Sequence, residues 1–232
     1  MSKFVFAPPA VVAIPVKGSE ESFAVRRVFC VGRNYAEHAK EMGFTGREDP
    51  FFFCKPADAL VVVPEDEQGE IHYPPKTSNL HYEMELVVAL GSGGKDIAVE
   101  QAENCIYGYA LGLDMTRRDL QGQAKKQGRP WEVGKAFDES GPIGPIHPVA
   151  NTGILNAGRI ALSVNGQTKQ DSDLDQLIWS IPESIAYLSG LFELKTGDLI
   201  FTGTPEGVGA VVAGDCMVGS FDGLGELKVK VV

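Results

Sequence analysis

Short apolar segments separated by glycine and proline constrain the fold of this 232-residue chain more than any other feature of its sequence. The chain contains 27 Gly and 14 Pro residues, and the segments between them are rich in β-branched and aromatic residues. This spacing is typical of short strands joined by turns. We expect strands at residues 28–32, 59–63, 83–90, 106–113, 160–164, 199–202 and 227–231. The sequence therefore predicts a mainly β (α+β) fold with few helices.

Three local signals place turns and helices along the chain. The pair Asn165-Gly166 between two β-rich segments predicts a two-residue hairpin turn. Ser180 followed three residues later by Glu183 matches a capping box and predicts that a helix begins there. A second helix is expected over residues 116–127, where a glycine follows.

The charge of the chain excludes some classes of partner. The net charge is -10 and the isoelectric point is near 4.9, which disfavours binding to nucleic acid or to anionic membrane surfaces. The apolar N-terminus is interrupted by Pro8, Pro9 and Pro15, which fits neither a signal helix nor a membrane span. We expect a cytoplasmic protein with one domain over residues 1–232, in which residues 1–27 are an N-terminal extension packed on the rest.

The four cysteines are far apart in the sequence and form no CxxC pair. Most lie in apolar runs, so the pattern favours buried, reduced thiols over disulfides or metal ligands. The prediction of a reduced, buried thiol applies to Cys30, Cys54, Cys105 and Cys216.

Three acidic residues form the candidate metal site. Glu83 and Glu85 lie two apart in a predicted strand, so their side chains leave the same face about 7 Å apart. Asp114 ends another predicted strand whose preceding residues on the same face are small. Three carboxylates without His or Cys favour Mg²⁺, Mn²⁺ or Ca²⁺ over zinc. The alternative is that the glutamates face solvent at a strand edge and Asp114 caps the following helix.

A histidine and a set of basic residues are the other catalytic candidates. His38 and Glu41 are three apart in a short predicted helix, where the carboxylate could orient the imidazole as a base. The alternative is an ordinary surface pair. Lys135 lies in an apolar stretch, where burial requires an anion, although it could also extend to solvent. The neighbouring Arg118 adds positive charge close to Asp114.

Several segments, in this order, resemble the fumarylacetoacetate hydrolase superfamily, particularly its short acylpyruvase branch: VGRNYAEHAKEMG, FFFCKP, LHYEMEL, GYALGLDMTRRDLQ, PWEVGKAFD, VNGQ, SIPE and GDLIFTGTPEGVG. The resemblance implies a mixed β-roll of the family's C-terminal domain type, usually assembled as a homodimer. It implies metal ligands at Glu83, Glu85 and Asp114 and a water-activating pair at His38 and Glu41. Substrate contacts are implied at Arg33, Arg118, Gln121, Lys135 and Thr204.

The same resemblance implies the reaction. A 2,4-diketo acid would be hydrolysed at a carbon-carbon bond with Mg²⁺ or Mn²⁺, releasing pyruvate from its enolate. Among acylpyruvates we expect fumarylpyruvate, an intermediate in the breakdown of aromatic compounds, because the chain is similar to short bacterial members. Oxaloacetate decarboxylation is the alternative because it yields the same enolate, and decarboxylation or isomerisation of a longer diacid is a third possibility. A metal-binding protein without activity is the remaining alternative from another class.

Overall fold

Strands dominate this computed structural model, which describes residues 3–41 and 47–232, with the backbone alone for 39–41. The strands are β1 (Ala13–Pro15), β2 (Ser22–Ala24), β3 (Arg27–Gly32), β4 (Phe51–Lys55), β5 (Leu60–Val62), β6 (Gln68–Ile71), β7 (Leu80–Tyr82), β8 (Met84–Leu90), β9 (Ile106–Leu113), β10 (Thr116–Arg117), β11 (Gly141–Ile143), β12 (His147–Pro148), β13 (Arg159–Val164), β14 (Gln167–Asp173), β15 (Asp198–Phe201), β16 (Gly209–Val211), β17 (Cys216–Phe221) and β18 (Gly225–Val231). The predicted mainly β fold is confirmed.

Helices are short and connect the strands. The α-helices are α1 (Ala36–Glu41), α2 (Val99–Ala102), α3 (Arg118–Lys126), α4 (Glu132–Lys135), α5 (Val149–Thr152) and α6 (Ile181–Leu191), and 3₁₀ helices occur at Ala57–Ala59, Glu103–Cys105 and Leu174–Gln176. Over residues 3–41 and 47–232, no helix has the length and apolarity needed to cross a membrane.

Two large sheets form the fold. The first has the order β4-β3-β15-β8-β9-β11-β5, with β12 paired to β9, and the second has the order β14-β13-β17-β18-β6. A smaller sheet, β10-β7-β16, lies next to the start of β8. The hairpin β1-β2 is tied to the main body by hydrogen bonds in which Lys17 N–H donates to Ile146 O (2.8 Å) and Ile146 N–H donates to Pro15 O (2.9 Å).

The central strand β8 is buried at all seven of its residues, as expected for an apolar strand covered on both faces. Its partner β9 runs antiparallel and carries glycine where other groups approach closely. A Cβ on Gly108 would lie 2.3 Å from the carbonyl oxygen of His147 in β12, and a Cβ on Gly112 would lie 2.6 Å from the Phe201 ring. β8 and β9 are therefore tightly packed, and this packing fixes the positions of the residues at their ends.

The predicted turn and capping signals are confirmed. Asn165 and Gly166 have φ values of 51° and 78° and join β13 to β14 as a two-residue turn. The Ser180 hydroxyl accepts from the N–H of Glu183, and the Glu183 carboxylate accepts from the N–H of Ser180. These signals are reliable because the interactions that they encode lie within a few residues.

Several predicted details were wrong, including the bounds of some strands, such as 59–63, which is observed as Leu60–Val62. The helix expected from residue 116 begins at Arg118, because Thr116 and Arg117 pair with β7 as a short strand. The strand expected from Glu83 begins at Met84. The cysteines are all free, but Cys54 is exposed and Cys216 is only partly buried, because their strands lie at positions open to solvent.

Replacing Gly108 by Ala should destabilise the protein, whereas the same change at Gly122 should stabilise it. The Gly108 Cβ would meet backbone, so β9 or β12 must shift at a cost of about 1–3 kcal/mol. Gly122 lies in α3 with nothing within 4 Å of its Cβ position, so alanine should add roughly 0.5–1 kcal/mol. Urea unfolding gives the free energy of unfolding of each variant. If both substitutions changed the free energy of unfolding in the same direction, the packing described for β9 would be contradicted.

Candidate active site

Three buried carboxylates meet at one end of the β8-β9 pair. Glu83 directly precedes β8, Glu85 lies in that strand, and Asp114 directly follows β9. The N–H of Asp114 donates to the carbonyl of Glu83 (2.9 Å), which places the two residues side by side. The residues are 5%, 2% and 1% exposed, and one oxygen from each lies within 4.8 Å of the others. The alternative of solvent-facing glutamates is therefore wrong.

Lys135 compensates part of this negative charge. Its Nζ lies 2.7 Å from Glu83 Oε2 and 2.6 Å from Asp114 Oδ2, and its side chain is 2% exposed. Burial by itself would lower the pKa of Lys135, but Asp114 and Glu83 raise it above its ordinary value. The lysine is therefore a buried ammonium group, as the apolar sequence around it predicted for a lysine that meets an anion.

Lys55 at the end of β4 is a second buried ammonium group in contact with this site. Its Nζ lies 2.8 Å from Asp114 Oδ1 and donates to the carbonyls of Lys135 and Met115. Lys55 was not among the site residues predicted from the sequence. The signal was the one used for Lys135, a lysine within an apolar run, here Phe51-Phe-Phe-Cys-Lys55.

The two glutamates have opposite protonation tendencies. Burial would raise the pKa of Glu83, but the charges of Lys135, Arg118 and His38 lower it well below its ordinary value. Burial and the negative charges of Asp114 and Glu83 raise the pKa of Glu85 well above its ordinary value. Glu85 Oε2 accepts a hydrogen bond from the N–H of Gly203 (2.8 Å), which offsets only part of this effect. The negative charge of Glu85 is therefore balanced less well by positive charges of the protein than the negative charge of Glu83.

The donor set fits a hard divalent cation. It consists of carboxylate oxygens, the ligands that Mg²⁺ and Mn²⁺ prefer. Lys55 and Lys135 pair with the two oxygens of Asp114, whereas the pKa of the buried Glu85 is raised well above its ordinary value. The charged form of a buried carboxylate with a raised pKa is stabilised by a bound cation.

Glu83 and Glu85 lie in a cavity lined by Val31, Gly32, Arg33, His38, Glu83, Glu85, Arg118, Gln121, Trp131, Lys135 and Thr204. All predicted site residues with described side chains are in this set except Asp114, which contacts the cavity residue Lys135. The side chain of Glu41 lies outside the described residues, so its pairing with His38 stays a prediction. Trp131, which packs edge-on against Phe51, was not selected from the sequence.

His38 and Arg33 form part of the cavity wall where β3 leads into α1. His38 is 5% exposed and lines the same cavity as Glu83 and Glu85. Arg33 adopts a φ of 54°, uncommon for a residue with a long side chain. Its guanidinium lies 5.0 Å from the centre of the Phe51 ring and 3.7 Å from a Glu48 carboxylate oxygen.

Arg118 connects the Glu83 carboxylate to Gln121 and His81. It forms a short ion pair with Glu83 and donates from Nη1 to Gln121 Oε1 (2.7 Å). It also donates from Nε to His81 Nδ1 (3.3 Å), while His81 Nε2 contacts Asn79 Oδ1 (2.9 Å). Burial and Arg118 lower the pKa of His81 to about 4, so this imidazole is neutral near pH 7. His81 thus has a structural role, because it holds Arg118.

The fold and the site together define an enzyme with a buried acidic centre on a mixed β-roll. The family model for the fumarylacetoacetate (FAA) hydrolase C-terminal domain matches residues 27–232, and the chain belongs to this family. It is 50% identical to a fumarylpyruvate hydrolase from Ralstonia over 184 residues, which cover 79% of this chain and 93% of the relative. It is 41% identical to an oxaloacetate tautomerase from Escherichia coli over 208 residues, covering 89% and 93% of the two chains.

A solved structure is also closely similar to this chain. It is a fumarylpyruvate hydrolase from Pseudomonas aeruginosa in complex with Mn²⁺ and pyruvate. The two chains are 59% identical, each is covered to 99%, and the TM-score is 0.98. The recognition of the family and the assignment of the chain as an enzyme of a hydrolase family are confirmed by these comparisons.

Replacing Glu85 by Gln should weaken binding of Mn²⁺ by at least about tenfold, since a neutral amide is a poorer ligand for a hard cation than a carboxylate. Calorimetric titration of protein first stripped with EDTA measures the affinity. The control is Glu70→Gln, which removes an exposed carboxylate in β6 and should leave the affinity unchanged. Equal affinities in the two variants would remove Glu85 from the metal site.

Proposed function

We propose that this enzyme hydrolyses the carbon-carbon bond of a 2,4-diketo acid, and that its substrate is an acylpyruvate, with fumarylpyruvate as the first choice. The observation that carries the proposal is the cluster of three buried carboxylates beside one cavity that Lys135 and His38 line. The similarity to the fumarylpyruvate hydrolases from Ralstonia and Pseudomonas aeruginosa supports the choice of acyl group.

Glu83, Glu85 and Asp114 would hold one divalent cation, Mg²⁺ or Mn²⁺, with Ca²⁺ as a further possibility. The Mn²⁺ bound by the Pseudomonas enzyme supports a divalent cation. When bound, the cation supplies a Lewis acid that polarises the oxygens of the keto acid. The remaining chemistry falls to the side chains around the cavity.

His38 is proposed as the base. It would take a proton from a water molecule whose oxygen forms a bond with C4 of the substrate. The bond between C3 and C4 then breaks, and its electron pair stays on the three-carbon fragment as an enolate. Return of a proton to C3 gives pyruvate, and the C4 fragment leaves as a carboxylic acid. Glu41, three residues after His38 in α1, would orient the imidazole.

Lys135 is proposed to stabilise the enolate. Its ammonium group is buried among carboxylates in a region from which water is largely excluded, where a charge-assisted hydrogen bond to a developing oxyanion is strong. Arg33, Arg118, Gln121 and Thr204 are proposed as the substrate contacts because they line the same cavity.

Oxaloacetate is the second candidate substrate, and the 41% identity to an oxaloacetate tautomerase favours it. Decarboxylation of oxaloacetate and its tautomerisation both pass through an enolate of the kind that Lys135 would stabilise. Neither reaction needs a hydrolytic water. His38 therefore separates the two proposals, because only hydrolysis requires it to activate water.

We further propose that the chain forms one domain over residues 1–232, acts in the cytoplasm and assembles as a homodimer. The hairpin β1-β2, hydrogen-bonded to the main body through Ile146, supports the packing of residues 1–27 as part of that domain.

Replacing His38 by Ala should lower kcat for acylpyruvate hydrolysis by about 100-fold or more, the usual contribution of a positioned base. Decarboxylation of oxaloacetate by the same variant should fall far less, since it needs only enolate stabilisation. Both rates can be followed by absorbance with saturating Mg²⁺ or Mn²⁺.

The matched control is His72→Ala, because this histidine is exposed and contacts Glu139 outside the cavity. Both activities of the control should remain at the level of the unmodified enzyme. Equal losses of the two activities in His38→Ala would show that His38 binds substrate or holds the cavity wall, and would reject its role as a base.

A further inference from the structure

Gln170 in β14 connects the second sheet to the candidate active site. The residue is fully buried, and its amide reaches the first residue of β8 and the segment that follows β15. This segment approaches β14 closely, because a Cβ on Gly207 would lie 2.1 Å from the carbonyl oxygen of Lys169. The close approach places Gln170 directly against Thr204 and Met84.

The orientation of the Gln170 amide follows from its partners. The N–H of Met84 can only donate, so the atom 3.0 Å away must be the amide oxygen, Oε1. The other side of the amide is therefore the NH₂ group, which donates to Thr204 Oγ1 (2.8 Å) and to the carbonyl of Pro205 (2.8 Å). No alternative orientation of the amide satisfies these contacts.

This orientation decides what the Thr204 hydroxyl can do. A hydroxyl has one proton to donate and two lone pairs that accept. Thr204 accepts from Gln170, and it donates its proton to the carbonyl of Met84 (2.8 Å), which can only accept. One lone pair remains for a group in the cavity that Thr204 lines.

We propose that Gln170 is a positioning residue that makes Thr204 an acceptor toward the cavity, so that Thr204 binds an O–H group of the reacting system. This inference rests on the proposed function and deepens it. It assigns Thr204 to a hydroxyl donor and not to the substrate carboxylate, since a carboxylate offers only acceptors and could bond to Thr204 only if the hydroxyl proton left the Met84 carbonyl.

Two sources can supply such a hydroxyl group. A 2,4-diketo acid carries a C3–H between two carbonyls, so it readily forms an enol with a hydroxyl on C2 or C4. The water molecule that attacks C4 is the other source. An analogue that carries two methyl groups on C3 cannot form the enol through C3, and it therefore distinguishes the two sources.

The test compares Thr204→Val with the unmodified enzyme in the presence of Mn²⁺. If Thr204 binds the enol, affinity for acetylpyruvate, taken from KM in initial-rate kinetics, should fall about three- to tenfold, and affinity for the dimethyl analogue should not change. If Thr204 binds the water, both affinities should stay constant and kcat for both substrates should fall by the same factor. Thr204→Ser, which keeps the hydroxyl, should behave as the unmodified enzyme in either case.

An equal loss of affinity for pyruvate, acetylpyruvate and the dimethyl analogue would overturn the inference, since it would mean that Thr204 binds the carboxylate that all three share. Unchanged affinity and kcat would also overturn it. Thermal unfolding of each variant identifies any loss caused by misfolding, and Thr204→Ser then provides the comparison. Failure of the unmodified enzyme to hydrolyse any acylpyruvate would reject the proposed function, a result distinct from these.

Gln170→Met tests the positioning role. It keeps the length of the side chain but removes the donor to Thr204. The variant should reproduce the effect of Thr204→Val, whether on the affinity for acetylpyruvate or on kcat, and the double variant with Thr204→Val should show little further loss, because the two residues act through one contact. A purely structural role would lower stability and leave affinity and kcat unchanged.

Discussion

The burial of three carboxylates at one end of the β8-β9 pair is the interaction on which the rest of this structure depends. Each buried ion has a desolvation cost of several kcal/mol, which a well-placed partner of opposite charge offsets. The compensating cations come from separate elements, with Lys55 at the end of β4, Arg118 at the start of α3 and Lys135 at the end of α4. Because these cations must lie next to the carboxylates, three parts of the chain that are distant in sequence meet at the same strand ends.

Met84 explains how the two sheets and the site form one unit. The pleat of a strand sends neighbouring side chains to opposite faces, so Met84 points away from Glu83 and Glu85. A Cβ on Gly219 of β17 would lie 2.3 Å from the Met84 sulfur, so the methionine packs directly onto the second sheet. Its N–H and carbonyl meanwhile bond to Gln170 and Thr204. The contact between the sheets therefore also fixes the spacing of the two glutamates.

The sequence predicted those features whose causes are local or chemically unusual. The Asn165-Gly166 turn and the capping box at Ser180 depend on neighbours within three residues, and a lysine in an apolar run requires an anion wherever it lies. Gln170 carried no such signal, because its partners are 34 and 86 residues away and its own segment reads as a polar edge strand. The exposure of Cys54 escaped prediction for the same reason, since it depends on which strands cover β4. The pairing of His38 with Glu41 stays a prediction.

The site divides into a floor and a wall that contribute different parts of the proposed chemistry. The floor, made by β8, β9 and α4, carries the carboxylates and Lys135, and it is held by ion pairs in which both partners are buried. The wall at the end of β3 carries Arg33, which directly follows that strand, and His38 in α1, whose six described residues are too few to be stable without tertiary contacts. Enolate stabilisation belongs to the floor and serves every reaction considered for this enzyme. In the proposed mechanism, selection between hydrolysis and enolate chemistry on oxaloacetate would belong to the wall, because His38 is the residue that would activate water.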